Sequence, residues 1–139
     1  KNNNEGWGEL YRASDPMGPF ESRGNFLRGM RHCAVLVQGH TLLIFYSRVG
    51  DAPERILTAT VDMRDDWMTW KPSESADVLR PTEEYEGASY PIAASGTGAA
   101  VAVNQLRDPC VLREKCETIL FYTGNGEALI CGAILEVDK

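Results

Sequence analysis

Two places in this chain set a titratable side chain beside an arginine at the head of an apolar run. Arg31-His32 precedes C-A-V-L-V, and Arg107-Asp108 precedes P-C-V-L. A carboxylate or an imidazole can move a proton, and a neighbouring guanidinium holds a carboxylate ionised. Asp108 is therefore the first carboxylate to consider; its bland alternative is a turn residue ahead of Pro109. Glu86, in Y-E-G, is a second acid, or else a solvated loop carboxylate beside Glu83 and Glu84. His32 offers a ligand contact or a structural hydrogen bond. The loop from Arg48 to Arg55 adds Asp51 and Glu54, as the rim of a pocket or as an exposed salt-bridged turn.

Other chemistries find no motif. There is no Gly-rich phosphate loop, no nucleophile elbow and no His-Glu metal pattern. The cysteines stand at 33, 110, 116 and 131 without a C-x-x-C pair, and His32 and His40 are not at zinc spacing from them. No cofactor or metal is expected. Cys33 and Cys110 lie in apolar runs and are expected to be reduced and buried. A Cys116–Cys131 bridge stays open. The net charge of −6 argues against a nucleic-acid partner, which needs a concentrated basic face. No apolar run is long enough to span a bilayer, and the opening K-N-N-N-E-G is not a signal-peptide pattern.

The elements that must position these residues are strands. Runs rich in Val, Ile, Leu, Phe and Tyr cover 34–37, 41–47, 55–61, 98–104, 109–113, 117–123 and 128–137, with Gly, Pro, Asp or Asn between them. Several are continuous rather than alternating, the pattern of strands buried on both faces in stacked sheets. Only Thr82 to Glu86 has room for a helical turn. The expected class is all-β, in one domain of 139 residues.

The chain also repeats itself. Residues 31–52 align with 107–128 without a gap, and seven of these twenty-two positions are identical: Arg31/Arg107, Val35/Val111, Leu36/Leu112, Phe45/Phe121, Tyr46/Tyr122, Gly50/Gly126 and Ala52/Ala128. Ser47/Thr123 and Asp51/Glu127 are conservative pairs. Each copy reads as a strand, a polar turn, a strand ending in Phe-Tyr, a Gly-acid turn and a third strand. The Phe-Tyr pairs are expected to fill the core between sheets. Three-stranded meanders finished by a fourth strand are the blades of a β-propeller. Trp70 and the residues that follow it, up to Pro81, are expected to supply the outer fourth strand of the first blade. Residues 7–20 read as outer strands of a partial blade. The division is 1–30 for the partial blade, 31–80 for one blade and 81–139 for another, about two and a half four-stranded blades.

Arg107-Asp108-Pro109 followed by I-L-F-Y-T-G, Glu86-Gly87, and S-D-P-M-G-P-F together resemble five-bladed propeller glycoside hydrolases of the arabinanase, levansucrase and invertase kind, from about Trp7 to Val137. The resemblance implies carboxylates around a central cavity, one protonating the leaving oxygen and another activating water or attacking the sugar. Carried onto this chain, it makes Asp108 and Glu86 catalytic, with Arg107, His32, Arg31 and Asp51 binding carbohydrate. His32 stands where the pattern implies a carboxylate. The alternative reading is a non-catalytic carbohydrate-binding or assembly module, or a degenerate propeller fragment. Half a propeller leaves strand edges open, so a homodimer related by a two-fold axis is expected to complete the ring.

Overall fold

The computed structural model describes residues 6–115 and 117–136. Among the described residues nine strands run in chain order: β1 (Trp7–Arg12), β2 (Glu21–Arg28), β3 (Met30–Gln38), β4 (Thr41–Arg48), β5 (Ile56–Asp62), β6 (Ala76–Leu79), β7 (Arg107–Glu114), β8 (Glu117–Gly124) and β9 (Leu129–Ile134). Two short 3-10 turns, Trp67–Thr69 and Glu84–Glu86, are the helical elements among the described residues. The fold is all-β. Its strands form three antiparallel sheets, a β1-β2 hairpin, the meander β3-β4-β5-β6 and the meander β7-β8-β9.

The sheets stack face on face in chain order. Along β4, side chains alternate between the faces of the second sheet. Ile44 and Tyr46 join Leu57, Ala59 and Val61 under Phe26 and Leu27 of the first sheet. Phe45, with Leu36 and Ile56, packs on Leu120, Tyr122 and Cys131 of the third. A continuous apolar run at 42–46 is what a strand between two sheets requires. Phe45, Tyr46 and Tyr122 are core residues, as expected of the repeated Phe-Tyr pairs, but Phe121 is only half-buried, on the face of the third sheet turned away from the second.

The repeat extends to backbone geometry. The turn between the first two strands of each copy places Gly39 and Lys115, equivalent positions, in the left-handed region at φ 57° and 52°. Gly126, the counterpart of Gly50, has φ 74°, and a Cβ there would lie 2.1 Å from the Ala100 carbonyl oxygen. Only glycine fits. Each copy also carries a β-bulge at the head of its first strand. Met30 pairs with Arg48 but Cys33 with Tyr46; Arg107 pairs with Thr123 but Cys110 with Phe121. One extra residue per copy shifts the register, and the inserted segments contain His32 and Asp108.

Two expectations need correction, the strand at 98–104 and the burial of Cys33 and Cys110. Residues 98–104 form no strand beyond an isolated bridge from Val101 to Gly126. Small side chains there bury little, and the nearby Gly96, Thr97 and Gly98 carbonyls accept from arginine side chains instead of a ladder. The fourth strand of the second sheet, Ala76–Leu79, falls in the residues after Trp70, as expected, while Trp70 itself closes the Trp67–Thr69 turn with its own N–H on the Trp67 carbonyl. Cys33 and Cys110 are exposed. The first sheet covers β4 and β5 but not β3, so Cys33, Val35 and Val37 on one face of β3 lie open, and Cys110 is on the uncovered face of the third sheet. Cys131 is buried, while the Cys116 half of the pairing left open lies outside the described residues.

Candidate functional site

β3 and β7, the leading strands of the two repeats, run side by side. Their arginines converge on one carboxylate. Arg31 donates through Nε to Glu54 Oε1 at 2.8 Å and through Nη2 to Oε2 at 3.2 Å. Ser47 Oγ donates to the same Oε1 at 2.7 Å. Arg107 Nε lies 3.2 Å from Oε2, at ion-pair distance without hydrogen-bond alignment. Glu54 and Arg107 are wholly buried and Arg31 nearly so. A carboxylate removed from water needs both charge and hydrogen-bond compensation, and it has both. The remaining guanidinium donors are engaged too. Arg31 reaches the Gly96 and Thr97 carbonyls, while Arg107 reaches the Gly98 carbonyl, Glu127 Oε1 at 2.8 Å and Gln105 Oε1 at 2.5 Å. Arg31 and Arg107, expected to contact a ligand, are instead the buried joint between two sheets. Glu54, read as part of an exposed turn, is its centre.

One residue further along each strand the picture changes. The bulges bring His32 and Asp108 together, with Nδ1 2.5 Å from Oδ1, and the histidine side chain stays 69 % exposed while the aspartate's is 24 % exposed. Asp108 Oδ2 accepts from Thr123 Oγ1 at 3.1 Å. Oδ1 has no aligned hydrogen-bond donor. Asp108 also takes φ 51°, an uncommon conformation for a residue with a Cβ, directly before Pro109. Strained backbone of this kind costs roughly 1–3 kcal/mol and collects at binding and catalytic positions. Bulges likewise re-aim side chains beside such sites. The result is an imidazole–carboxylate pair where the leading strands of the two repeats meet, with the imidazole facing solvent.

The other expected residues are elsewhere. Glu86 is buried as the third residue of its 3-10 turn. Its Oε2 accepts from the Thr82 and Glu83 backbone N–H groups at 2.8 and 3.1 Å, and its Oε1 from Tyr122 Oη at 2.6 Å. Burial, and then this bond to Glu86, push the Tyr122 phenol well above its ordinary pKa. Tyr122 and Thr123 are neighbours on β8, so their side chains leave opposite faces. Glu86 and Asp108 thus reach that strand from opposite faces, an arrangement that does not flank one scissile bond. Asp51 is tied to Arg55 Nη1 at 2.9 Å, and Arg55 continues to Asp77 on β6 at 2.7 Å, so Asp51 anchors its loop. Ser47 and Thr123 were legible as a repeated pair; their acceptors were not. Among the described residues, no group of three or more His, Cys, Asp or Glu side chains is placed to hold a metal ion, and no helix is long and apolar enough to cross a membrane.

No family model and no solved structure matches the chain. An uncharacterized protein of Acanthamoeba polyphaga mimivirus is 41% identical over 108 residues, 76% of this chain. The chain spans 30% of that relative's length.

Proposed function

We propose that this chain is part of a β-propeller of the glycoside-hydrolase type and binds carbohydrate at the His32–Asp108 pair without hydrolysing it. The observation that carries this reading is the pair itself, at 2.5 Å, on the leading strands of two consecutive sheets, with the histidine side chain exposed. An imidazole and a carboxylate side by side offer a donor and acceptors to neighbouring hydroxyls of a sugar ring. Binding is favoured over hydrolysis because the carboxylates that hydrolysis would need are committed: Glu54 to two arginines, Glu86 to its turn and Tyr122, Asp51 to Arg55. The stacking of a hairpin and two meander sheets in chain order supports the propeller part of the reading, as does a mimiviral relative more than three times the length of the matched stretch, with room for further sheets.

The test is a glycan-array screen followed by calorimetry with wild type, His32→Ala and Asp108→Asn, beside chromogenic arabinoside and fructoside assays. Each substitution is expected to weaken glycan binding by about 10- to 100-fold, the weight of a hydrogen bond to a charged group. Binding that ignores both substitutions would sink the site, and turnover lost in Asp108→Asn would make the chain an enzyme.

A further inference from the structure

The end of the sheets away from His32 holds a cavity that the carbohydrate reading does not use. β5 ends at Asp62, which pairs with Thr41, and Thr41 pairs with Gln38 at the far end of β3. From His32 to Gln38 the strand spans roughly 20 Å. At this end the turn between β1 and β2 meets the Trp67–Thr69 turn that follows β5. Between them lies a cavity of about 280 Å³, lined by Arg12, Ala13, Ser14, Pro19, Glu21 and Trp67. It belongs to two sheets that already adjoin each other, and so does not depend on what covers the outer faces of the first and third.

Both walls are held in place by their own hydrogen bonds. Asp15 closes the β1–β2 turn, its Oδ1 accepting from the Met17 N–H at 2.7 Å and its carbonyl from the Gly18 N–H at 2.9 Å. Asp66 Oδ1 caps the other turn, accepting from the Met68 N–H at 3.1 Å. Arg23 of β2 donates to the Met68 carbonyl at 3.1 Å and joins the two walls. The polar groups inside the cavity are unpaired by contrast. Arg12 and Glu21 face each other directly across the β1–β2 ladder, where side chains start about 5 Å apart. Yet neither makes an ion pair or a hydrogen bond through its side chain among the described residues, and nor does the Ser14 hydroxyl. Arg64 and Arg80, also at the surface, do pair, with Asp62 and Asp77. Arg12 instead lies over the Trp67 ring, 6.0 Å from its centroid, at the outer reach of a cation–π contact.

These groups choose a ligand by what they disfavour. A simple anion would meet Glu21, and a simple cation would meet Arg12. A sugar ring seeks a free aromatic face, and the Arg12 guanidinium already stands over Trp67. A guanidinium in that position still has N–H donors for a carboxylate. We propose that the cavity binds a small zwitterion, an α-amino acid with an apolar side chain. Its carboxylate pairs with Arg12, its ammonium group with Glu21 beside Ser14, and its side chain rests on Pro19 and Trp67. Charge-assisted hydrogen bonds are about twice as strong as neutral ones, which favours a partner that carries both charges over a neutral polyol. This site is independent of carbohydrate binding at His32 and Asp108.

The test is a titration of the isotope-labelled chain with L-leucine, followed by NMR of the tryptophan indole N–H groups. The Trp67 signal is identified by its loss in Trp67→Phe, and the Trp7 signal reports that each variant stays folded. Leucine is expected to move the Trp67 signal to saturation in the millimolar range. Arg12→Gln and Glu21→Gln should each weaken binding by about 10-fold or more, the weight of one charge-assisted hydrogen bond. Isopentylamine lacks the carboxylate and isocaproate lacks the ammonium group, so each should bind about 10-fold more weakly than leucine, or worse. That comparison uses wild type alone and decides the matter if a variant fails to fold. No saturable response to leucine would overturn the proposal, as would a response that either half-ligand reproduces or that survives both substitutions. Glucose moving the Trp67 signal where leucine does not would overturn it too, and make the cavity a sugar subsite.

Discussion

The two copies of the repeat share strands, turns and bulges, yet they handle their arginines differently. In the first copy Tyr46 pairs with Leu57, and in the second Tyr122 pairs with Cys131, so the loop before the third strand is two residues longer in the first. That extra length carries Glu54 inward, where it serves both Arg31 and Arg107. The second copy, with its shorter loop, offers Arg107 only Glu127, whose side chain is one-third exposed. The two copies thus carry two buried cations, and two additional residues in one loop give them a shared carboxylate.

The largest effect expected from breaking this asymmetry is at Glu54. Glu54→Ala leaves two buried guanidiniums facing each other and should cost about 3–5 kcal/mol in urea denaturation, because removing one partner strands the charges that remain. Glu127→Ala should cost less, about 1–2 kcal/mol, because Arg107 keeps Glu54 and the Gly98 and Gln105 oxygens as partners. Equal effects would mean that the two copies hold their arginines alike.

The second comparison is at the paired positions one residue on. His32→Asp restores a carboxylate to both copies and sets two like charges side by side. A penalty of about 1 kcal/mol is expected at neutral pH in this water-exposed setting. Repulsion raises the folded-state pKa of one aspartate above its unfolded value. Stability relative to wild type should therefore be regained below about pH 4 and lost as pH rises through the raised value. A pH series of denaturation midpoints shows this directly, and a flat difference would mean that the side chains do not meet.

The smallest effect separates the two tyrosines. Tyr122→Phe removes the bond to buried Glu86 and should cost about 1 kcal/mol. Because the folded-state phenol is held above its ordinary pKa, wild type should lose stability as pH climbs past about 10, and Tyr122→Phe should lose less. Tyr46, whose hydroxyl meets exposed Ser75 and Arg48, has no buried acid to answer to.

Strand type and the pairing of repeats were legible because hydrophobic runs and turn residues are local signals. Strands β3, β4, β5, β7, β8 and β9 lie where the runs place them. The run at 98–104 misled because its alanines and valines look like strand, while its neighbours' carbonyls are claimed by arginines distant in sequence. His32 and Asp108 were visible as equivalent positions, and the bulges that turn them together depend on pairing register, which no single strand reveals. Glu54 was hidden for a related reason. An acid between Pro53 and Arg55 reads as a surface turn until the loop lengths of the two copies are compared.

The Glu54 joint also governs how the molecule comes apart. Its carboxylate holds the leading strands of two sheets, and its own carbonyl accepts from the Leu106 N–H at 2.9 Å, just ahead of β7. Peeling the third sheet from the second would strand a buried ion pair, so neither meander has a low-energy way to open by itself. Hydrogen exchange should therefore show the β3 and β7 amides opening together, as one cooperative unit, although sequence divides them into two.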